Sequence, residues 1–498
     1  MQRSTFVLHL SAALAVAALV SSPTTLFGQS SANVSINISS GGARSGSIPD
    51  DFLGISLETS SVAASNNNGA TWLSGNTTAF SRMLQRIGVK SIRIGGNSSE
   101  RSGYPTINDA EKVIDFANLV GANLLWTVPV KTAQYDPTTY SNFVATMNSY
   151  QKSKGYGIST TYLIGNESDI AMDSGASPSI PYSTWRYRFN NYSTLFRNSD
   201  NSITASGPAS AGTSYASQFA NDADYTGSGS QKYAVGFVTG HKYALGGTSD
   251  SGPSNSQQAI TKFLADNSGN YSGTYNGWPT TAYNRGMKTR IDETNVLYYQ
   301  NGQDQALEHE YAAALWVLDY LSYMAYKTNL SGMNLHNGPI GSNSYNTFSP
   351  IGYQSNSSVN LEPIGYGMLA FTYTGQGTPM TASITSNSSS VNMSAYALVE
   401  GNGTASAHIL NKTQGSGAID ASVNISISGY AHAQVMYLKQ TNSDVTATDG
   451  ITLGGASVAS DGTWSGAGNW AVTGLSPTNG VFTISVPHTQ VAVVHFYN

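Results

Sequence analysis

The chain has 498 residues, a length that suits one large barrel with a smaller second domain better than a single core. Its 23 Lys and Arg against 28 Asp and Glu give a net charge of −5, and the absence of a basic run argues against a nucleic acid partner. With 0 Cys the protein cannot be a disulfide scaffold, so its cores alone must hold it together.

Residues 1–29 have the pattern of a secretory signal peptide. Arg3 precedes an apolar stretch from Phe6 to Val20, and Pro23 and small polar residues follow. The apolar stretch is too short to span a bilayer, and no second run of this kind occurs. We therefore expect cleavage between Ser22 and Ala32 and a secreted or periplasmic protein with no membrane association.

Short apolar segments alternate with helical stretches over residues 49–370. The helical stretches include 79–87, a helix opened by a capping box at 108–111, a helix at 139–153 and an amphipathic helix at 305–326. This alternation is typical of the α/β class and predicts a (β/α)8 TIM barrel, whose active site lies at the C-terminal ends of its strands. The eight predicted strands are residues 51–58, 90–97, 123–129, 162–167, 203–209, 235–243, 289–293 and 332–336.

The helical pattern disappears after residue 370. Alternating segments at 395–399, 431–437 and 491–496, punctuated by Gly and Asn, predict an antiparallel β-sandwich over residues 371–498. Residues 33–38 alternate in the same way. We expect the segment 33–48 to add an edge strand to the sandwich and so to clamp the two ends of the chain together.

Two of the predicted barrel strands end in a glutamate, Glu167 and Glu293. In a retaining glycosidase one carboxylic acid protonates the leaving oxygen, and a carboxylate about 5 Å away attacks the anomeric carbon. Two glutamates on separate strands that face one pocket would supply this pair. The alternative is that each glutamate caps a helix or faces water; Asn166, directly before Glu167, favours the catalytic interpretation.

The motifs at the strand ends resemble those of glycoside hydrolase family 79, the β-glucuronidases and heparanases, over essentially all of the mature chain. In the larger clan of that family, clan A, Asn-Glu closes strand four and a nucleophilic Glu closes strand seven. The resemblance implies that Glu167 is the general acid/base and Glu293 the nucleophile. It rests on Gly165-Asn166-Glu167, Asp292-Glu293-Thr294, Arg93-Ile94-Gly95-Gly96-Asn97 and Leu57-Glu58.

The resemblance also implies which residues bind a glucuronic acid. A tyrosine five positions after the nucleophile, here Tyr298, and another near the end of the barrel, here Tyr366, would bind the C5 carboxylate through charge-assisted hydrogen bonds. A neutral sugar has no use for such a pair. Tyr299-Gln300 departs from the two glycines of animal heparanases, which leaves any backbone contribution open.

Other residues at the predicted mouth are expected to contact the substrate or the two glutamates. Asn166 would hold the sugar 2-hydroxyl, and Tyr243 would donate to Glu293; the alternatives are a turn residue and a packed aromatic. We expect Arg93 to be an ion partner of a catalytic carboxylate. Further candidates for contact with the sugar are Glu58, Asn97, His241 and His336, although a lone histidine is more often a packed or capping group.

The sequence therefore favours an exported retaining β-glucuronidase that releases β-linked glucuronic acid, or its 4-O-methyl form, from a glycan or glycoside. This chemistry needs no cofactor, no metal site is indicated by the spacing of His and Glu, and we expect a monomer. One alternative is another clan A retaining glycosidase, such as a β-xylosidase, an arabinofuranosidase or an endoglycanase. Another is a catalytically silent carbohydrate-binding protein.

Overall fold

The computed structural model describes residues 31–65, 72–73, 76–172, 177–222, 224–225, 233–244, 256–296, 309–337, 349–374, 376–387 and 391–498. Eight parallel strands pair in chain order and close into a barrel, the last pairing with the first, as Ile55 does with Leu335. The predicted TIM barrel is thus confirmed. After an N-terminal strand β1 (Ser31–Ser39), the barrel strands are β2 (Leu53–Glu58), β3 (Ser91–Gly95), β4 (Asn123–Val128), β5 (Thr160–Ile164), β6 (Ala205–Ser210), β7 (Val235–His241), β8 (Thr289–Thr294) and β9 (Gly332–Asn337).

Helices surround the barrel. The capping box that opens the third of them lies two residues earlier than predicted, because Thr106 accepts from the Asp109 amide while Asp109 accepts from the Thr106 amide. The helix ends at Gly121 in left-handed backbone, which glycine adopts without strain. The described α-helices are α1 (Thr59–Val62), α2 (Ala79–Arg86), α3 (Ile107–Val120), α4 (Pro137–Lys154), α5 (Tyr182–Ser199), α6 (Thr213–Asn221), α7 (Ser256–Leu264), α8 (Ser268–Tyr275), α9 (Trp278–Asn284), α10 (Tyr311–Lys327) and α11 (Pro363–Tyr373).

Helix α10 corrects the expectation of an amphipathic helix at 305–326. Nearly all of its side chains are buried, including the polar Asp319 and Ser322. The reason is that α10 is covered on more than one side, by α11 and α7 and by the strands of the C-terminal domain. A helix that is buried all round needs no polar face. Residues 305–308 of the predicted helix lie outside the described residues.

The C-terminal domain is one ten-stranded sheet that curls so that its inward side chains form a single core, in agreement with the predicted β-sandwich. β1 corrects the expectation of an edge strand, because it lies inside the sheet, antiparallel to β12 and parallel to β15. A separate two-stranded hairpin, β10 (Ile351–Ser355) and β11 (Ser358–Leu361), precedes α11. Besides β1, the strands of the ten-stranded sheet are β12 (Gly377–Ser386), β13 (Met393–Glu400), β14 (Ala405–Asn411), β15 (Asp420–Ile427), β16 (His432–Gln440), β17 (Ile451–Leu453), β18 (Val472–Leu475), β19 (Val481–Val486) and β20 (Gln490–Tyr497).

The barrel and the sandwich share a buried interface along α10 and α11. Lys412 Nζ lies 2.7 Å from Asp319 Oδ2, and Tyr396 donates to Asp319 Oδ1 at 2.7 Å. His408 bridges the two helices, with Nδ1 3.1 Å from Ser322 Oγ and Nε2 3.1 Å from the Ala370 carbonyl oxygen. The side chains of the ion pair are at most 2% exposed, so the two domains pack as one unit.

Among the described helices, none combines the length and the apolar composition that crossing a bilayer requires.

Candidate active site

Two glycines at the end of β3 leave room for the charged groups of the barrel mouth. A Cβ on Gly95 would lie 2.6 Å from the guanidinium carbon of Arg93, and one on Gly96 would lie 2.3 Å from Glu58 Oε1. Gly96 also has a φ of 71°, which disfavours other residues. The Arg-Ile-Gly-Gly-Asn segment is therefore shaped by close approach of an arginine and a carboxylate to the backbone.

Arg93 is fully buried at the centre of the mouth. Burial alone would lower its pKa, but the negative charges of Asp292 and Glu293 raise it, so the guanidinium is a fixed cation. The guanidinium carries five N–H groups and is surrounded by polar side chains. Nε lies 3.2 Å from Asp292 Oδ2, Nη1 donates to Ser56 Oγ at 2.8 Å and to Glu293 Oε2 at 2.6 Å, and Nη2 donates to Asn166 Oδ1 at 2.6 Å and lies 3.3 Å from His241 Nε2.

Glu167 follows β5 and Glu293 lies in β8, and the barrel brings them together. One oxygen of each carboxylate and one nitrogen of His241 all lie within 4.8 Å of one another. Retaining glycosidases have carboxyl groups about 5–5.5 Å apart, whereas inverting enzymes need about 6.5–9.5 Å to admit a water. The separation of this pair fits double displacement.

Glu293 is surrounded by positive charges and donors. Burial alone would raise its pKa, but the charges of His241, His336 and Arg93 and a hydrogen bond from Tyr243 hold the pKa of Glu293 well below its usual range. Tyr243 Oη donates to Glu293 Oε1 at 2.8 Å. Glu293 is thus kept ionised, as a nucleophile must be.

His241 lies between the two glutamates. Its Nδ1 lies 2.9 Å from Glu167 Oε1 and 4.0 Å from Glu293 Oε2, and its Nε2 lies 3.7 Å from Asp292 Oδ2. Burial alone would lower the pKa of His241, but the charges of Glu293 and Asp292 and the bond to Glu167 raise it to about 10. The nearby Arg93 opposes a proton on Nε2, yet the charges of Glu293 and Asp292 and the hydrogen bond to Asp292 outweigh that effect. His241 therefore donates to Glu167 through Nδ1.

Asn166 has a fixed amide orientation. Arg93 donates to its Oδ1, so its Nδ2 must face Asn97 Oδ1, at 3.1 Å. One of the two Nδ2 hydrogens is then used within the protein, and the second is available to a ligand. Asn166 and Asn97, both predicted site residues, thus lie together beside Arg93.

Glu58 and His336 also lie at the mouth. Glu58 Oε2 accepts from the Ser98 amide at 3.0 Å and from the Ser98 hydroxyl, and its charge contributes to the raised pKa of Arg93. His336 is close enough to Glu293 to lower its pKa. Its backbone carbonyl accepts from the Asn295 side chain at 2.9 Å, which ties the ends of β8 and β9 together.

Of the two tyrosines predicted to bind a C5 carboxylate, the structure describes one. Tyr298 lies outside the described residues. Tyr366 lies in the first turn of α11, where its hydroxyl accepts from the Val458 amide at 3.0 Å. It lines a cavity of about 850 Å³ between the barrel and the sandwich, and none of the residues around Arg93 lines that cavity. The described bond of its hydroxyl is thus made to the sandwich.

The group Glu167, His241 and Glu293 has donor atoms close enough to hold a metal ion, although the sequence spacing gave no sign of a metal site. Glu293, however, already pairs with Arg93 at 2.6 Å, and a metal cation at this point would meet the charge of the guanidinium. The donor set is therefore better suited to a catalytic pair than to a metal.

Two residues of the site escaped sequence reasoning. Asp292 was noted only as part of the motif Asp292-Glu293-Thr294, with no role of its own. Neighbours on a regular strand point to opposite sides, but the pairing of β8 shifts register on both of its edges, and both carboxylates contact Arg93. Glu100 follows Asn97 on a short 3₁₀ turn and its carboxylate accepts from the backbone amide of Asn166 at 3.1 Å. No local pattern marks a contact between residues 66 positions apart.

Comparison with known proteins supports a glycoside hydrolase. Residues 395–493 match the family described as the glycosyl hydrolase family 79 C-terminal beta domain, so the resemblance to that family is found independently in the sandwich. Comparison with curated proteins gives no match.

Solved structures share the fold over nearly the whole chain. A 4-O-α-L-rhamnosyl-β-D-glucuronidase from Fusarium oxysporum 12S aligns with a TM-score of 0.66 and 13% identity, covering 92% of this chain and 99% of that one. The GH51 α-L-arabinofuranosidase of Thermotoga petrophila RKU-1 gives 0.63 and 13%, covering 93% and 100%. CelM2, a bifunctional glucanase-xylanase from a metagenome library, gives 0.60 and 13%, covering 93% and 99%. At such identities the likeness shows the fold alone.

Proposed function

We propose that the protein is a retaining β-glycosidase that uses Glu167 as acid/base and Glu293 as nucleophile. The observation that carries the proposal is the approach of the two carboxylates to within 4.8 Å at the mouth of the barrel. The opposed environments of the pair support it. Glu293 is held ionised by Arg93 and Tyr243, while Glu167 is bonded to His241 through one oxygen only.

The reaction proceeds in two displacements. In the first, a lone pair of Glu293 bonds to the anomeric carbon, the glycosidic bond breaks, and its electron pair takes the proton of Glu167 as the alcohol leaves. The His241 N–H stabilises the Glu167 carboxylate that results. In the second, this carboxylate removes a proton from water, the water oxygen bonds to the anomeric carbon, and the bond to Glu293 breaks. The free Nδ2 hydrogen of Asn166 is positioned to donate to the sugar 2-hydroxyl.

We further propose that the substrate is a β-glucuronide, such as a glycan or glycoside with terminal glucuronic acid. Two observations support this choice. The sandwich matches a family 79 domain, and the Fusarium oxysporum structure with the same fold is named a glucuronidase. The signal-peptide pattern of residues 1–29 supports export of the enzyme to a compartment where such glycans occur. Mass spectrometry of the protein recovered from the medium or periplasm should find an N-terminus between Ser22 and Ala32.

A retaining glycosidase of neutral sugars is the second candidate. The position of Tyr366 favours it, because that hydroxyl is engaged by the sandwich rather than by the site. The Thermotoga petrophila arabinofuranosidase shows that the same fold occurs with another named activity.

A panel of 4-nitrophenyl glycosides separates the two candidates. We expect hydrolysis of the β-glucuronide at least about tenfold faster, as kcat/KM, than of the β-xyloside, β-glucoside and α-arabinofuranoside. Proton NMR of the first product should show the β-anomer. Preference for a neutral sugar would replace the substrate assignment, and an α-anomer formed first would overturn the double displacement. Glu293→Gln, inactive on every substrate, is the control for contaminating activity.

A further inference from the structure

The turn that carries Glu167 has an unfavourable backbone conformation. Gly165 has a φ of 85°, and Glu167, which is not a glycine, has a φ of 45°. A residue with a side chain in this region is strained and keeps the conformation only where its surroundings impose it. Backbone bonds from Gly165 to Val128 at 2.9 Å and from Glu167 to Ala209 at 2.8 Å fix both ends of the turn.

The middle of the turn is held by Glu100, a carboxylate that is 3% exposed. It accepts from three backbone amides, those of Asn166 at 3.1 Å, Val130 at 3.0 Å and Lys131 at 2.8 Å. The ends of β3, β4 and β5 therefore meet at one side chain. Burial raises the pKa of Glu100, but three N–H donors and the charge of Lys131 favour its ionised form.

Lys131 holds the far side of the same turn. Its side chain is buried, and Nζ donates to the Ile170 carbonyl oxygen at 2.8 Å. The Ile170 amide in turn donates to the Glu167 carbonyl oxygen at 3.2 Å. Glu100 and Lys131 thus hold the turn on either side of Glu167, and neither contacts the space between the two catalytic glutamates in any described bond.

We propose that Glu100 is a positioning residue for the acid/base: it fixes the strained turn so that Glu167 points at the glycosidic oxygen. This inference rests on the proposed function and deepens it. General acid catalysis requires hydrogen-bond reach to the leaving oxygen, and the strained turn would relax without its central contact. The nucleophile lies on β8 and has no bond to Glu100, so nucleophilic attack should be spared.

Dependence on the leaving group distinguishes this role from a merely structural one. Glu100→Gln keeps the shape of the side chain but sets an NH2 group against backbone N–H donors. We expect kcat/KM to fall about 10- to 100-fold for a phenyl glycoside, which needs the acid, and less than about threefold for a 2,4-dinitrophenyl glycoside, which does not. Asp109→Asn is the matched control: it changes a buried carboxylate that caps α3 and should affect both substrates equally. Equal losses in Glu100→Gln would overturn the proposal.

Amide hydrogen exchange tests the same idea without any substrate. In Glu100→Gln the peptide containing Asn166 and Glu167 should exchange at least about tenfold faster than in the wild type, with peptides of α3 unchanged. Unchanged exchange at Asn166 and Glu167 would overturn the positioning role, whatever the activity. If wild-type protein cleaves none of the glycosides, the proposed function fails, and exchange still decides the role of Glu100. Should Glu100→Gln not fold, Glu100→Asp, one methylene too short to reach all three amides, serves for both measurements.

Discussion

Asp292 and Glu293 are adjacent in β8, yet both carboxylates contact the guanidinium of Arg93, at 3.2 Å and 2.6 Å. The register shifts on both edges of β8 allow this, because a regular strand would send one of them to the helices outside. A single buried cation therefore compensates a structural carboxylate and the proposed nucleophile together.

Replacement of the two glutamates should give different results. Glu293→Gln should abolish turnover of every substrate, because nothing replaces the nucleophile. Glu167→Ala should retain slow hydrolysis of 2,4-dinitrophenyl glycosides, whose phenol leaves without an acid. Added azide should accelerate the Glu167→Ala enzyme and give a β-glycosyl azide, identified by NMR; an α-glycosyl azide would contradict the assignment.

Tyr243→Phe should lower kcat/KM and shift the acid limb of its pH profile. The variant loses a hydrogen bond to an ionised group, about 1.5–3 kcal/mol, so kcat/KM should fall roughly 10- to 150-fold. Since that bond helps to hold down the pKa of Glu293, its loss raises that pKa, and the acid limb of the kcat/KM profile should move to higher pH. Tyr437→Phe, which loses a bond to the Ser485 carbonyl oxygen in the sandwich, is the control. An unmoved acid limb would show that Tyr243 does not tune the nucleophile.

Tyr366→Phe should leave substrate preference unchanged. Its hydroxyl accepts a hydrogen bond from the Val458 amide. The substitution leaves that amide without its acceptor and should lower the free energy of unfolding by about 1–3 kcal/mol. The ratio of kcat/KM for β-glucuronide and β-xyloside should stay within about twofold of the wild type. A selective loss on the glucuronide would restore Tyr366 to the substrate site.

His408 should make the folded protein sensitive to acid. Burial lowers the pKa of His408 from 6.5 to about 4, so the unfolded chain binds more protons between these values. The contribution of His408 to the free energy of unfolding is therefore fully present above about pH 6.5 and falls by about 3 kcal/mol as the pH drops to 4. Urea unfolding measured between pH 4 and 6.5 should give a free energy of unfolding that changes less with pH in His408→Gln than in the wild type. The control His432→Gln should show the same pH dependence as the wild type. Parallel curves for His408→Gln and wild type would exclude this histidine as the cause.

Lys412→Met should destabilise the junction of barrel and sandwich. It leaves Asp319 as a buried charge without its cation, a change that lowers the free energy of unfolding by about 3–5 kcal/mol. Replacing both residues, with Asp319→Asn added, should recover part of this loss, because no uncompensated charge then remains. Denaturant unfolding measures each variant; additive losses in the double variant would show that the two charges are not coupled.

The architecture could be predicted because the spacing of apolar residues along the chain indicates each strand and helix. Apolar runs separated by helical stretches give the barrel, and the alternation after residue 371 gives the sandwich. Strand-end positions also suffice to place Glu167, Glu293 and Arg93 at one mouth, since parallel strands end on the same side.

The remaining features depend on contacts between distant residues. Glu100 reaches Asn166 across three strand ends, and the shared arginine of Asp292 and Glu293 needs a change of register that no sequence pattern shows. The position of Tyr366 follows from docking of the sandwich loop around Val458, 92 residues away in sequence. The burial of α10 on all sides likewise depends on its packing against the C-terminal domain, which the local sequence of the helix does not show.

The place of β1 within the sheet has a consequence for how the molecule assembles. The pairing of Ser31 with Asp420 closes a chain segment that contains the entire barrel, so completing the sandwich requires the two ends of that segment to meet, and a folded barrel lowers the entropy cost of that closure. A fragment limited to residues 371–498 would present β12 and β15 as two unpaired edges and should aggregate. Supplying a synthetic peptide of residues 31–39 in trans should restore solubility, as strand complementation does for other sheets with a missing member.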